Sequence, residues 1–308
     1  MPSSGRRGEK LTVAMLRKLN KKFYSYVREI VFILGDCADW RSRIKLFANT
    51  VLFHFGNWVK KTARREDVIF SANIRIGSDN SKRVELRRFA GDIFVLYEVL
   101  CDKCYFIPSS MLPPEKVRVV FDCGANIGIT SLYLAAQYPN ARIYSIEPDP
   151  GNFALLKRNV RQERRILPIC GALVGLPREQ VYLTTDAPAW GNSIATSKTG
   201  IAVNAWTIDE ICQENGLNHI DLLKVDIEGA EKELFANGQF LRRVSCGIVE
   251  LHNNYGLGAL ERDVAGWGFR VLEPTRESGL AMVSMWPQDL EPRAKERSSD
   301  PSRILQER

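Results

Sequence analysis

Apolar residues recur along this chain in two rhythms, and the switch between them marks its organisation. Over residues 1–66, Leu11, Met15, Leu16, Leu19, Phe23, Val27 and Ile30 return at steps of three and four, the spacing of one helical face. A second helical stretch runs through Ile44, Leu46, Phe47, Val51, Leu52 and Phe55 and ends near Trp58. From 67 to 115 the pattern shortens. DVIFSANIRIG alternates, GSDN supplies a turn, and KRVELRRF resumes as a second strand, which predicts a β-hairpin. Asp92 to Leu100 reads as a short helix, and Pro108, Pro113 and Pro114 mark a linker.

Residues 116–288 alternate strand and helix. VRVVFDC, ARIYSIE, ILPICGAL, IDLLKVDI and VSCGIVEL are predicted strands, with TSLYLAAQY, NFALLKRNVRQ, WTIDEICQEN and AEKELFAN as helices between them. An irregular stretch containing Gly191 and Gly200 precedes WTIDEICQEN; DVAGWGF leads into FRVLEP, and LAMVSMWP closes the series. Val, Ile and Leu run with little alternation, as in strands covered on both faces, and the βαβ rhythm implies a doubly wound, mostly parallel α/β sheet. The charged tail over 289–308, with its Pro and Ser, reads as disordered.

Composition adds limits rather than identity. The 308 residues are 45% hydrophobic and 26% charged, the balance of a soluble globular chain. No apolar stretch approaches the roughly 20 residues needed to span a bilayer, and no secretory leader is visible, so a cytoplasmic location is expected. Seven cysteines without paired spacing argue for free thiols in a reducing compartment, and the lone Cys101–Cys104 pair is read as coincidence. Charge is uneven. Residues 1–70 hold 15 Lys/Arg against 6 Asp/Glu, whereas the rest holds 28 against 30. The basic segment can meet phosphates, acidic glycans or anionic lipids at a membrane surface, or be a solvated helical face.

Chemistry concentrates at three strand ends. Asp122-Cys123-Gly124-Ala125-Asn126-Ile127-Gly128 follows one strand and opens a helix, where doubly wound sheets bind ligands. Gly124 is expected to let the backbone approach a ligand, and Asp122 to accept a hydrogen bond from a ligand ammonium through water or backbone. The GxGxxG dinucleotide fingerprint is not met: Asn126 stands where its second glycine admits a pyrophosphate. Glu147 ends the next strand, placed to accept ribose hydroxyls of an adenosine ligand; Asp149, two residues on, also suits a helix N-terminus. Lys224-Val225-Asp226-Ile227-Glu228-Gly229 ends the fourth strand, and Glu250-Leu251-His252-Asn253 the fifth. Two carboxylates followed by a glycine exceed what helix capping requires.

Taken in order, DCGANIG, SIEPDPGNFALLKRN, TIDE, LLKVDIEGAE and VELH closely resemble the FkbM-type methyltransferase family over about residues 90 to 275, with FAGDIFVLYEVL similar to its lead-in. The resemblance implies a class I methyltransferase (Rossmann-like) fold, S-adenosyl-L-methionine as methyl donor, and transfer to a hydroxyl oxygen of a sugar or natural-product-like molecule. It places Asp122, Gly124, Asn126 and Gly128 in the cofactor loop, Glu147 at the ribose, and Asp226, Glu228 and Gly229 in the fourth-strand motif.

In this reading Asp149 joins the cofactor set, Asp226 is the first candidate base, His252 the second, and Glu228 orients substrate or base. No metal is assigned: Asp226, Glu250, His252 and Asn253 could gather round a divalent ion, but their spacing fits no local metal motif. Three rivals stay open. An NAD-binding oxidoreductase is disfavoured by Asn126. A polynucleotide methyltransferase would use the basic N-terminal segment, but the catalytic zone is not basic, so a nucleic-acid partner is not expected. The third is a non-catalytic interaction protein that kept the fold.

Overall fold

The computed structural model describes residues 23–59, 68–77, 81–184, 200–252, 255–272 and 282–287. The chain enters through a helix over 23–36 (α1) and a second, α2 (Trp40–Val59). Asp39 starts α2: its Oδ1 accepts the Ser42 amide at 2.9 Å, satisfying a donor the helix leaves free. The predicted hairpin forms from β1 (Ile69–Arg75) and β2 (Ser81–Arg87), paired antiparallel. A short helix, α3 (Asp92–Leu96), continues into a π turn over Tyr97–Cys101.

The expected doubly wound sheet follows. Its strands are β3 (Val119–Cys123), β4 (Arg142–Glu147), β5 (Ile166–Cys170), β9 (Ile220–Val225), β10 (Val244–Glu250), β11 (Phe269–Leu272) and β12 (Met282–Pro287). They lie in the order β5-β4-β3-β9-β10-β12-β11. All pairings from β5 to β10 are parallel, and β12 inserts antiparallel to both β10 and β11. Helices α4 (Ile129–Gln137), α5 (Pro150–Val160), α6 (Ile208–Glu214), α7 (Glu231–Ala236) and α8 (Leu257–Ala265) connect the strands. This is the class I methyltransferase architecture. Its strand order reverses between β3 and β9, which opens a crevice at their carboxyl ends.

The structure corrects three local expectations. ILPICGAL is not one strand: β5 ends at Cys170, and β6 (Ala172–Leu173) turns away at Gly171, against which Trp206 packs. The stretch expected to be irregular contains β7 (Gln180–Leu183) and β8 (Ile201–Trp206), which with β6 form a second sheet in the order β6-β8-β7. The helix expected from Trp206 starts at Ile208 because Thr207 and Glu210 close a capping box: the Thr207 side chain accepts the Glu210 amide while the Glu210 carboxylate accepts the Thr207 amide.

The described part of the N-terminal stripe forms the expected helix with its apolar positions turned outward. Leu11, Met15, Leu16 and Leu19 lie outside the described residues, but Phe23, Val27 and Ile30 face outward, and Glu29, Phe32 and Ile33 turn in. Phe32, Ile33, Leu46, Ile74 and Leu86 belong to one apolar core with Ile129, Leu132 and Leu155 of α4 and α5. Hydrogen bonds tighten that seam: the Glu85 amide donates to Asn159 Oδ1 at 2.8 Å, and Arg87 bridges buried Asp92 and Asn152.

Candidate functional site

The β3–α4 turn is left-handed at Gly124, Asn126 and Gly128. Gly124 is required by its neighbour. A Cβ there would stand 1.7 Å from the Asp226 carbonyl oxygen, so the missing side chain is what lets the ends of β3 and β9 meet. The expectation that Gly124 merely admits a ligand is corrected to this extent, although Gly124 does line the cleft. Gly128 serves packing too, since its Cβ would come within 2.6 Å of Leu156 Cδ1 on α5.

Glu147 ends β4 and ties two loops together. Its Oε2 accepts the Asn126 amide at 2.8 Å; its Oε1 accepts the Asp149 amide at 2.9 Å and Asn152 Nδ2 at 3.2 Å. Burial pushes its pKa up to about 7, against the pull of those hydrogen bonds. Asp149 is the N-cap of α5, accepting the Asn152 amide at 2.8 Å, and is not among the residues lining the cleft.

Asp122 is fully enclosed behind the cleft. Ser131 Oγ donates to its Oδ2 at 2.6 Å, and Lys224 Nζ pairs with its Oδ1 at 3.2 Å. A direct or water-mediated contact with a ligand ammonium is therefore replaced by an internal ion pair. Lys224, 1% exposed, is the hub: its Nζ also donates to the carbonyls of Gly124 at 2.7 Å and Cys123 at 3.2 Å. It lies 3.5 Å from Asp226 Oδ2 and over the Tyr105 ring. Burial alone would lower the Lys224 pKa, but Asp122 and Asp226 overcome it and hold the ammonium above the ordinary lysine value.

Asp226 lines the cleft with Oδ2 hydrogen-bonded and Oδ1 on the His252 side. Tyr105 OH donates to Oδ2 at 3.0 Å, and Oδ1 lies 3.7 Å from His252 Nε2. The same nitrogen lies 3.7 Å from Glu228 Oε2 and 3.6 Å from Glu250 Oε1. Behind the ring, fully buried Glu231 pairs with His252 Nδ1 at 2.9 Å and accepts the Ile227 amide at 3.1 Å. Although burial disfavours a charged imidazole, Glu231, Asp226 and Glu228 together raise its pKa. Burial likewise lifts Glu228 to about 6 and raises Glu250, with Asp226 adding to both. Glu98, on the π turn, is pushed up to about 7 by burial and then by Asp226.

The structure thus brings Asp226, Glu228 and His252 together, with Glu250 beside them; Asn253 lies outside the described residues. One donor atom from each of Asp226, Glu228 and His252 falls within 4.8 Å of the others, close enough to hold a divalent ion. Four residues of the site were given no role by the sequence: Glu98, Tyr105, Lys224 and Glu231. Glu98 stands in FAGDIFVLYEVL and Lys224 and Glu231 in LLKVDIEGAE, whereas Tyr105 lies outside every quoted run; Lys224 carried the plainest signal, a charge inside an apolar strand that burial obliges to find partners.

The cleft is open to solvent and lined by Gly124, Asn126, Glu147, Leu173, Asp226 and Glu228 among others. Residues 122–271 match the family described as the methyltransferase FkbM domain. The chain carries an FkbM methyltransferase domain. Methyltransferase sdnD of Sordaria araneosa is 31% identical over 46% of this chain and 66% of its own length. The 31-O-demethyl-FK506 methyltransferase FkbM of Streptomyces tacrolimicus is 26% identical over 59% of this chain and 84% of its own. Among solved structures, Aeropyrum pernix fibrillarin with natively bound S-adenosyl-L-methionine aligns with a TM-score of 0.39 and 14% identity, over 74% of this chain and 86% of that one.

Proposed function

We propose that this protein is an S-adenosylmethionine-dependent O-methyltransferase acting on a hydroxyl of a sugar or natural-product-like molecule. One observation carries the reading: a single cleft at the sheet's switch point joins Asn126 and Glu147 at one end to the Asp226–Glu228–His252 cluster at the other. Its residues suit the donor. Asn126 Oδ1 is a buried acceptor with no hydrogen-bond partner in a residue that lines the cleft, so a ligand N–H or O–H would satisfy it. Glu147 offers carboxylate oxygens to ribose hydroxyls, and the carboxylates of Asp226 and Glu228 favour a cationic group between them and the loop. Bound there, S-adenosylmethionine supplies an electrophilic methyl on a sulfonium.

The chain's own residues then orient the acceptor and take its proton. Tyr105 and Lys224 fix Asp226 Oδ2, which leaves Oδ1 on the His252 side to accept a hydroxyl proton as the new C–O bond forms. A positioned base contributes about 10²–10⁴-fold, and alignment of the reactants up to roughly 7–11 kcal/mol. His252, with its pKa raised, acts as a donor that orients the acceptor oxygen. The Streptomyces relative, named as a 31-O-demethyl-FK506 methyltransferase, supports oxygen as the nucleophile.

The test is calorimetry of the full chain with S-adenosylmethionine, then methyl-labelled cofactor with a panel of hydroxylated acceptors, the product's methyl located by mass spectrometry. Absence of cofactor binding, or label found on nitrogen or carbon, would overturn the reading.

A further inference from the structure

Of the two N-terminal helices, α2 is built largely inside out, and α1 carries an apolar outer face although Phe32 and Ile33 pack inward. On α2, the inward positions are largely polar: Ser42 donates its amide to Asp39 and its hydroxyl accepts the Asn73 amide, Asn49 accepts from Arg88, and Thr50 shares a hydrogen bond with Tyr97. On α1, Glu29 is buried and pairs with His54 of α2 at 2.8 Å. The outward positions are apolar and aromatic: Phe23 at 69% exposure, Trp40 at 64% and Phe55 at 60%, with Ile44, Phe47 and Val51 between the last two. A helix that spends its polar side chains inward and its aromatic ones outward has the reverse of the pattern a water-facing helix shows.

Charge identifies what covers this face. Residues 1–70 carry the surplus of nine positive charges, whereas the remainder of the chain has a deficit of two. On α2, Arg41 and Lys45 are exposed among the apolar positions. Lys21 and Lys22 immediately precede Phe23, and Lys60, Lys61, Arg64 and Arg65 follow Val59, so the sequence before α1 and after α2 is basic. A second copy would set two basic flanking sequences against each other, and a neutral apolar groove would leave their charges unused. Among the described residues no helix is long and apolar enough to cross a membrane. We propose that α1 and α2 lie in the headgroup layer of a bilayer containing anionic lipid, apolar side chains in the acyl boundary and lysines and arginines on the phosphates. The inference does not depend on the reaction assigned to the cleft.

The experiment is flotation of the full chain with vesicles of phosphatidylcholine alone and of phosphatidylcholine with phosphatidylserine, at low and physiological salt. The expected result is capture by the serine-containing vesicles, weakened about tenfold or more by the pair Phe47→Glu and Val51→Glu. Both residues are exposed, so the heat-denaturation midpoint should hold, and Phe55→Glu provides an independent variant should the pair disturb α2. Three results would overturn the proposal. They are no capture by anionic vesicles, capture abolished by salt yet indifferent to all three substitutions, and a dimer in solution that these substitutions dissociate.

Discussion

Replacing Lys224 by methionine removes one ammonium and keeps nearly the same volume, which makes it a clean probe of the hub beneath the cleft. The substitution removes a partner from four oxygens, Asp122 Oδ1, Asp226 Oδ2 and the carbonyls of Cys123 and Gly124. Asp122 is wholly enclosed, so the loss should approach the range for breaking a buried pair, about 3–5 kcal/mol. Against a total stability of roughly 5–15 kcal/mol that is a large share. Burial already raises the Asp122 pKa while Lys224 opposes it, so the variant's Asp122 should titrate higher still. An acid whose folded pKa lies above its unfolded one, about 3.9, destabilises the fold above the folded pKa, and the penalty fades as pH falls. Lys224→Met should therefore lose more stability near pH 8 than near pH 5 in urea titrations, and adding Asp122→Asn should restore part of it. A loss below about 1 kcal/mol, or one equal at both pH values, would refute the idea that Lys224 neutralises Asp122.

Other substitutions separate the ends of the cleft. Gly124→Ala should destabilise the chain and abolish cofactor binding together, since its Cβ would overlap the Asp226 carbonyl at 1.7 Å; calorimetry with S-adenosylmethionine on folded protein checks it. Glu147, lifted to about 7 by burial, costs stability as pH rises from its unfolded value of about 4.3 through 7, so Glu147→Gln should flatten that part of the pH–stability curve while weakening cofactor affinity. Asp226→Asn should lower kcat by about 10²–10⁴-fold with cofactor affinity little changed, measured by methyl transfer under saturating donor. The wild-type rate should climb as pH passes about 6, where Glu228 gives up its proton, and Glu228→Gln should remove that limb.

Much of the sheet was legible because buried parallel strands and their helices write long, uniform apolar runs. VRVVFDC and IDLLKVDI announce β3 and β9 with their site-bearing ends. The second sheet was not legible, since β8 is half exposed, its strands are short, and glycines break the stretch. Of the residues expected at the cofactor, Gly124, Asn126 and Glu147 line the cleft, whereas Asp122 and Asp149 are not among its lining. A carboxylate at a strand end looks the same in sequence whether it meets a ligand, a buried lysine or a helix amide. The outward stripe of α1 and α2 illustrates the converse limit: periodicity locates an apolar face but does not say which way it points.

Two hydrogen-bond chains run from the segment before the FkbM domain into opposite ends of the cleft. Tyr105 reaches Asp226 at the acceptor end, and Arg87 reaches Asn152, which in turn donates to Glu147 at the cofactor end. A domain boundary drawn at residue 115 would leave Asp226 without its tyrosine and Asn152 without its arginine, even though every strand of the large sheet would remain. The hydrogen bond that Asp226 Oδ2 accepts from Tyr105 thus comes from outside the matched span of 122–271, while Lys224 holds the same oxygen from within it. On the proposed function, motif residues hold the methyl donor and the lead-in helps aim Asp226 as the base. The aim of that base would then select which hydroxyl is reached, so differences in acceptor among proteins with this domain should be sought at positions such as Glu98 and Tyr105 before the glycine-rich loop.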